Sequence, residues 1–456
     1  MIWMVAHTPR RDGATLWFGS IGSEPPAAIV RLVIEAAGGR RQVMELRPQW
    51  QLLPVGEGLD VWSCWRSIEG LSPDTRYTLR LAEADEAVIV RTLPSAMPGP
   101  GEAPLRVLLG SCFDPRGHGA SMLPGLVRRL EALTPHVKLL CGDQVYVDLP
   151  VMRRLPTTDA GLRRFLLEKY RMSWAPRGAA SASGYGDLLR VGANLLISDD
   201  HEFWNNFPFA AGHVPFTLDA RNRASMTSLG RAFFQAFQAD YAAAEGLRCR
   251  HELRVGAPDD PRALEIFAID GRFARTTTRA HHPDDLAALV RWIDRLRGPG
   301  IIALSQPLFE PPQGNLRKKM IDAGIADFSD FDPLARALDR APHDLLILSG
   351  DIHCGRIAAA TGGASGRKIV EIVASPISLI PGTNFCDWPA FGAFPPRAVS
   401  RVSRTLKVEP LMPLVKEDHV AMIELRRVGA SLRVDVAYWR SNGAPLAGRT
   451  WSGALS

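Results

Sequence analysis

The chain is poor in the features that mark many protein classes. Its 456 residues hold only six cysteines, Cys64, Cys112, Cys141, Cys249, Cys354 and Cys386, and none forms a CxxC pair. That dispersion gives no short-range disulfide framework and fits free thiols in a reducing compartment. No apolar run approaches the ~20 residues of a membrane helix. The opening MIWMVAHTPRRDG has neither a long apolar stretch nor a small-residue cleavage site. It does not read as a signal peptide, so the chain as given is expected in the cytoplasm, or exported if a leader was removed. There is no internal repeat, no low-complexity tract and no Lys/Arg block. The formal charge of +6 comes from scattered arginines, which gives no support to a nucleic-acid-binding tail. A weakly basic field still favours anionic substrates, phosphate esters among them.

What is present is enough apolar sequence for a large core, 46% of residues, in a chain longer than the ~250 to 300 residues at which one core usually stops growing. Two domains are therefore expected. From Thr15 to about Thr92, short alternating segments (TLWFGS, AIVRLVIEA, VWSCWRSI, RYTLRLAEA, AVIVRT) are separated by Gly, Pro and Asp turns. This is the pattern of an all-β sandwich, assigned to residues 1–98. GLSPDTRYTLRL, 70 to 81, sets a Pro-Asp turn before a strand tyrosine, which resembles the corner of fibronectin type III and related immunoglobulin-like domains. A Pro/Gly-rich linker occupies 99–104.

From 105 to 456 the rhythm changes to strands alternating with helical patterns near 121–133, 159–171 and 221–245, which predicts an α/β domain with layered sheets. Late strands at KIVEIVAS, VAMIEL and LRVDVAYW are expected to form a second sheet packed on the first. Segments 146–158, 203–220 and 376–417, long and rich in proline, are candidates for walls or lids.

Three apolar runs break off into polar clusters: LLCGDQVYVD at 139–148, NLLISDDHEFWNN at 194–206 and LLILSGDIH at 345–353. Buried strands that deliver Asp, His or Tyr at their carboxyl ends collect ligands in one crevice. Asp143 and Tyr146 supply a carboxylate able to bridge two cations and a hard phenolic oxygen. Asp148 reads either as a further ligand or as a turn residue. Asp199, Asp200, His201 and Glu202 concentrate acid at a cost that cations would offset, although an acidic helix start has the same composition. Asn205 and Asn206 follow as loop residues or oxygen donors. Asp351 and His353, two apart, face one side of an extended segment. Cys112 ends the first α/β strand, where the other strands place carboxylates. Arg272 and Arg275 of IDGRFAR suit either a phosphate clamp or internal ion pairs. His281 and His282 read as capping or surface residues, and His118, His343 and His419 carry no assignment.

In order, GSC at 110–112, GDQVYVD at 142–148, DDHE at 199–202, IDGRFAR at 269–275 and SGDIH at 349–353 resemble the alkaline phosphatase D-like (PhoD-like) metallophosphatases of the calcineurin-like and purple acid phosphatase superfamily. The likeness runs from about residue 105 onward, and the leading sandwich also matches that layout. It implies a layered domain of two central β-sheets flanked by helices, preceded by an immunoglobulin/fibronectin III-like sandwich. It further implies hydrolysis of phosphate monoesters or diesters, small or polymeric, through a metal-activated hydroxide. Asp143, Tyr146, Asp200, Asp351, His353 and Cys112 stand in ligand positions, with Asp148 and Asn206 as further ligands. His201 stands where the leaving group is protonated, oriented by Asp199 or Glu202, and Asn205 and Arg272 would meet substrate. Replacement of imidazole by carboxylate and thiolate favours Fe3+ with Ca2+, with Mn2+, Mg2+ or Zn2+ as alternatives. The superfamily's VxxH element has no counterpart, and IIALSQPLF at 301–309 only loosely matches the family's Gln-containing stretch. The alternatives are a non-catalytic, partner-recruiting protein built on the same shell, and a two-metal hydrolase of another bond.

Overall fold

The computed structural model describes residues 2–456 apart from 85, 151, 153, 176–183, 244–245, 258, 261, 315–321 and 381–392. Cys386 and parts of the Pro-rich segments 146–158 and 376–417 fall outside the described residues.

Apolar strands build two large sheets in a mixed α/β protein. Among the described residues the first has ten strands. Its centre is the parallel trio Leu105–Gly110, Val137–Cys141 and Ala193–Ile197. The hairpin strands His419–Val428, Ser431–Arg440 and Pro445–Leu455 extend it on one side. On the other side it continues into Ile2–Arg10, Gly13–Ile21, Val61–Ile68 and Gln51–Leu53, joined through His7 opposite Asn194. The second sheet has eight strands among the described residues, around the parallel set Leu264–Ile269, Gly300–Ala303, Leu345–Ser349 and Lys368–Val373.

Both sheets bury their facing sides against each other. Val107, Leu139 and Ile197 of the first share a core with Ile266, Ile301 and Leu346 of the second. Their outer sides carry helices. Leu108, Leu140 and Leu196 pack under His118–Leu133, Asp159–Trp174 and Ala220–Phe237. Phe267, Ile302 and Ile347 pack under Pro283–Asp294 and Phe331–Asp339. Strands covered on both sides need the continuous apolar runs seen in the sequence. Each fully buried Leu or Ile contributes roughly 1.5–3 kcal/mol of transfer free energy.

The first ninety residues form a sandwich whose layers have different allegiances. The sheet Arg41–Leu46, Val30–Ala36, Arg76–Leu81 and Ala87–Arg91 is separate. It packs Leu32, Ile34, Leu79 and Val88 against Met4, Leu16 and Phe18 of the opposite layer, which is one wing of the ten-stranded sheet. Period-two alternation makes this possible: Met4 and Ala6 face the sandwich, while Trp3 and Val5 face the helices. At the tyrosine corner, Tyr77 Oη accepts the Ser72 N–H at 2.8 Å.

Two sequence expectations are corrected. The helix expected over 221–245 ends at Phe237, and Tyr241 turns inward to donate to Asp270 Oδ2 at 2.9 Å. The late strands divide between the sheets. Lys368–Val373 joins the second, whereas the strands of VAMIEL and LRVDVAYW pair beside Leu105–Gly110 in the first. Among the described residues no helix is long and apolar enough to cross a membrane.

Candidate functional site

The carboxyl ends of the parallel strands meet at one edge of the sheet pair, where tight backbone turns the polar residues into a common space. Gly142 takes φ 92°, and a β-carbon there would stand 2.3 Å from Asp199 Cβ. Only glycine lets these two strand ends close. Cys112, Asp143, Asn206, Asp351 and His353 all have positive φ, from 51° to 72°. Such backbone costs of order 1–3 kcal/mol per non-glycine residue and tends to gather at functional sites.

One carboxylate oxygen from each of Asp143, Asp199, Asp200 and Asp351 lies within 4.8 Å of the others. A ring nitrogen of His201 satisfies the same limit with Asp143 and Asp200. Cys112 Sγ is 3.4 Å from Asp143 Oδ2 and 3.5 Å from the Asp351 carbonyl oxygen, and Tyr146 Oη is 3.4 Å from Asp143 Oδ2. The fold thus assembles Cys112, Asp143, Tyr146, Asp200 and Asp351 from four separate strand ends. His353 stands within electrostatic reach of His201 and Asp200, and its N–H donates to Ser375 Oγ at 3.2 Å.

The protonation balance describes a dry, over-acidic pocket. Burial, and then the neighbouring Asp200 and Glu202 charges, hold Asp143 well above the usual carboxylate range despite His201. Burial does the same to Asp199 against the pull of Arg272. Asp351 is pushed up to about 8 by burial and by the Asp322 and Asp200 charges. Burial works against ionised Asp200 too, but Arg272, His201 and the Asn206 N–H outweigh it and bring it below its ordinary value. The Cys112 thiol and Tyr146 phenol are raised by burial and adjacent anions. Burial and the nearby His201 lower His353 to about 4. Hard oxygen donors, a buried Asp199 Oδ2 without a hydrogen-bond partner among the described residues and carboxylates that resist ionisation together form a donor set suited to a hard cation.

Several expected roles fall differently. Asp148 gives one oxygen to His201 Nδ1 at 2.7 Å and the other to the Asn205 N–H at 2.8 Å. Asp148 therefore orients His201, the task expected of Asp199 or Glu202, and stands outside the carboxylate cluster. Asn205 is placed beside it by that backbone contact. Asn206 donates its N–H to Asp200 Oδ2 at 2.5 Å, and its side-chain oxygen accepts from the Ala323 N–H at 3.2 Å. Glu202 is not among the carboxylates grouped within 4.8 Å and accepts from the N–H groups of Asp143, Gln144, Val145 and Asp199 at 2.7–3.2 Å. Burial lifts it to about 7 against those hydrogen bonds.

Arg272, expected to clamp substrate, is fully buried and committed to protein partners. It pairs with Asp199, with Phe207 O at 2.9 Å and with both oxygens of Asp322 at 2.6 and 2.7 Å. Arg275 donates to Gln306 Oε1 at 2.7 Å, and Gln306 Nε2 donates to Asp322 Oδ2 at 2.9 Å and Asp351 Oδ2 at 3.1 Å. Asp322 and Gln306 were missed as site residues. The position of Gln306 just past the strand Gly300–Ala303 was the available signal, and Asp322 offered none.

No protein-family description matches the chain, and no curated protein matches it. Among solved structures, it is similar to a calcium-binding mutant of Bacteroides uniformis beta-glucuronidase 2, with TM-score 0.22, and to that enzyme covalently bound to cyclophellitol-6-carboxylate aziridine, with TM-score 0.21. A third is Bacteroides uniformis beta-glucuronidase, with TM-score 0.18. Each overlap has 8% identity and covers 100% of this chain but 60% of the other. Overlaps this loose define neither a fold nor an activity.

Proposed function

We propose that the chain is a metal-dependent phosphoesterase acting on phosphate monoesters, diesters or both. The observation that carries the reading is the convergence of Asp143, Asp199, Asp200 and Asp351 within 4.8 Å, in a setting where burial and mutual repulsion disfavour the ionised forms of Asp143, Asp199 and Asp351. Cys112, Asp143, Tyr146, Asp200, Asp351 and His353 would hold the cations, Fe3+ with Ca2+ being the pair that carboxylate, phenolate and thiolate donors suit best. Bound there, such ions supply Lewis acidity toward a phosphoryl oxygen and toward water.

The chain's own residues supply the remaining chemistry. With His201 Nδ1 taken by Asp148, Nε2 is the nitrogen left to hold a proton for a departing alkoxide. Asp148 fixes the ring orientation and favours the protonated imidazole, and Asp143 and Asp200 reinforce it against burial. Glu202 fixes the backbone of 143–145, and Arg272 fixes Asp199, so the ligands are aimed before substrate arrives. Removal and return of metals tests the reading: hydrolysis of generic mono- and diesters should vanish with chelation and return with added cations. No hydrolysis with any cation in a folded protein would overturn it.

The commitment of Arg272 to Asp199 and Asp322 removes a phosphate-specific clamp and favours, as a second reading, a two-metal hydrolase of another bond. Product inhibition separates the two: inorganic phosphate is the competitive product of a monoesterase, and a phosphate monoester that of a diesterase.

A further inference from the structure

His281 was read from sequence as a capping or surface residue, yet it is 1% exposed. Its backbone N–H and its Nδ1 both meet Asp330 Oδ2, at 2.9 and 3.1 Å. With Nδ1 directed to a carboxylate, Nε2 is the ring nitrogen left over, and among the described residues it has no hydrogen-bond partner. Ser305, 2% exposed, likewise has a buried Oγ without a partner among the described residues. These two atoms and a guanidinium nitrogen surround one point. From the place where a β-carbon on Gly271 would stand, Ser305 Oγ is 3.5 Å away, and Arg275 Nη2 and His281 Nε2 are each 3.7 Å away.

We infer that this space in front of Gly271 is a binding site for one ordered water molecule. Water fits the chemistry of all three neighbours: it hydrogen-bonds to His281 Nε2 and accepts from Ser305 Oγ–H and from a hydrogen on Arg275 Nη2. A buried water needs two to four polar partners, and three converge here. An apolar occupant would leave each of them unpaired, at a cost that native structures avoid. Gly271 is the residue that makes the room. Its φ lies outside the left-handed region, so the absent side chain serves space and not backbone freedom.

The site links two parts of the molecule. Arg275 Nη2 also holds Gln306 Oε1 at 2.7 Å, and Gln306 Nε2 holds Asp351 Oδ2 at 3.1 Å. The water therefore joins the His281 and Asp330 pair to the chain of donors that aims Asp351. Asp330, His281, Ser305 and Arg275 are positioning residues for that carboxylate, a consequence that rests on Asp351 being a metal ligand.

The substitution Gly271→Ala gives a test by sign. The methyl group meets its neighbours only at ordinary contact distances of 3.5–3.7 Å, and Gly→Ala at such a position normally stabilises by restricting the unfolded chain. If water occupies the site, the methyl group displaces it and the Tm instead falls by roughly 1–3 °C. A high-resolution crystal structure of the wild type should show a density peak within hydrogen-bonding distance of the three atoms, absent from the variant. Ser305→Ala should also lower Tm, because it removes a partner of the water. An empty site in the crystal, or an unchanged or raised Tm in both variants, would overturn the inference. Equilibrium calcium binding adds a separate arm: Gly271→Ala should weaken it several-fold. Absence of cation binding by the wild type counts against Asp351 as a ligand, and the water site is then decided by density and Tm alone.

Discussion

His201 Nδ1 stands 2.7 Å from Asp148 Oδ1, and the other Asp148 oxygen is anchored by the Asn205 N–H at 2.8 Å. A carboxylate fixed at one oxygen and bonded to imidazole at the other orients the ring and favours its protonated form. His201→Ala should retain bound metal and lose turnover by roughly 100-fold or more, the scale of acid–base catalysis. Asp148→Asn should lower turnover by about 10-fold to 100-fold and shift the basic limb of the pH–rate profile downward, because the protonated ring loses its partner. Steady-state kinetics across pH checks both. Unchanged turnover in His201→Ala would remove that residue from the chemistry.

Glu202 is predicted to act on the fold. Removal of its carboxylate in Glu202→Ala leaves the N–H groups of Asp143, Gln144, Val145 and Asp199 without their acceptor. A loss of about 3 kcal/mol or more is expected, with a smaller loss in Glu202→Gln, which keeps one accepting oxygen. Chemical denaturation measures the difference. Equal stability of all three proteins would return Glu202 to the catalytic candidates.

Arg272→Ala should destabilise by roughly 3–5 kcal/mol, the scale for leaving buried ionic partners uncompensated. Asp199 and Asp322 are those partners. A substrate clamp predicts another pattern, a raised KM in a protein of normal stability. Thermal melting and kinetics on one preparation distinguish the two.

His419 makes a pH prediction away from the cluster. Nδ1 meets Glu417 O at 2.6 Å, Nε2 accepts the Ser375 N–H at 3.2 Å, and burial lowers the imidazole to about 4. The unfolded chain, near pKa 6.5, binds the proton more readily than the folded one. Stability is thus fully present above about pH 6.5 and declines as pH falls toward 4, by on the order of 3 kcal/mol from this group. Urea unfolding from pH 7 to 4.5 should show a steeper decline in wild type than in His419→Gln. Parallel declines would contradict the assignment.

The cluster was legible where chemistry sits directly on a strand end. Asp143, Asp200 and Asp351 follow apolar runs, so their convergence could be read from local pattern alone. Glu202 could not be placed that way, because its partners include backbone N–H groups 57 to 59 residues upstream, and side-chain type carries no record of them. Arg272 looked like a clamp for the same reason: Asp322, 50 residues away, lies in a stretch without periodicity. Short alternating strands announced the N-terminal sandwich. Continuity of one of its layers with the ten-stranded sheet depends on backbone pairing between His7 and Asn194, which no residue pattern encodes. The end of the helix at Phe237 was hidden because AFQADYAAAE continues a helical composition, while the inward hydrogen bond of Tyr241 to Asp270 is a tertiary preference.

The central claim, that Asp143, Asp200 and Asp351 with Cys112 and Tyr146 hold hard cations, is tested most directly by elemental analysis after equilibration with iron and calcium, on wild type and Asp143→Asn together. The wild type should retain at least about one cation per chain, with a tyrosinate-to-iron absorption band that disappears in Tyr146→Phe if the ion is ferric iron. Asp143→Asn should lose most of that metal while keeping its secondary structure. A folded wild type that retains no more metal than Asp143→Asn would contradict the account.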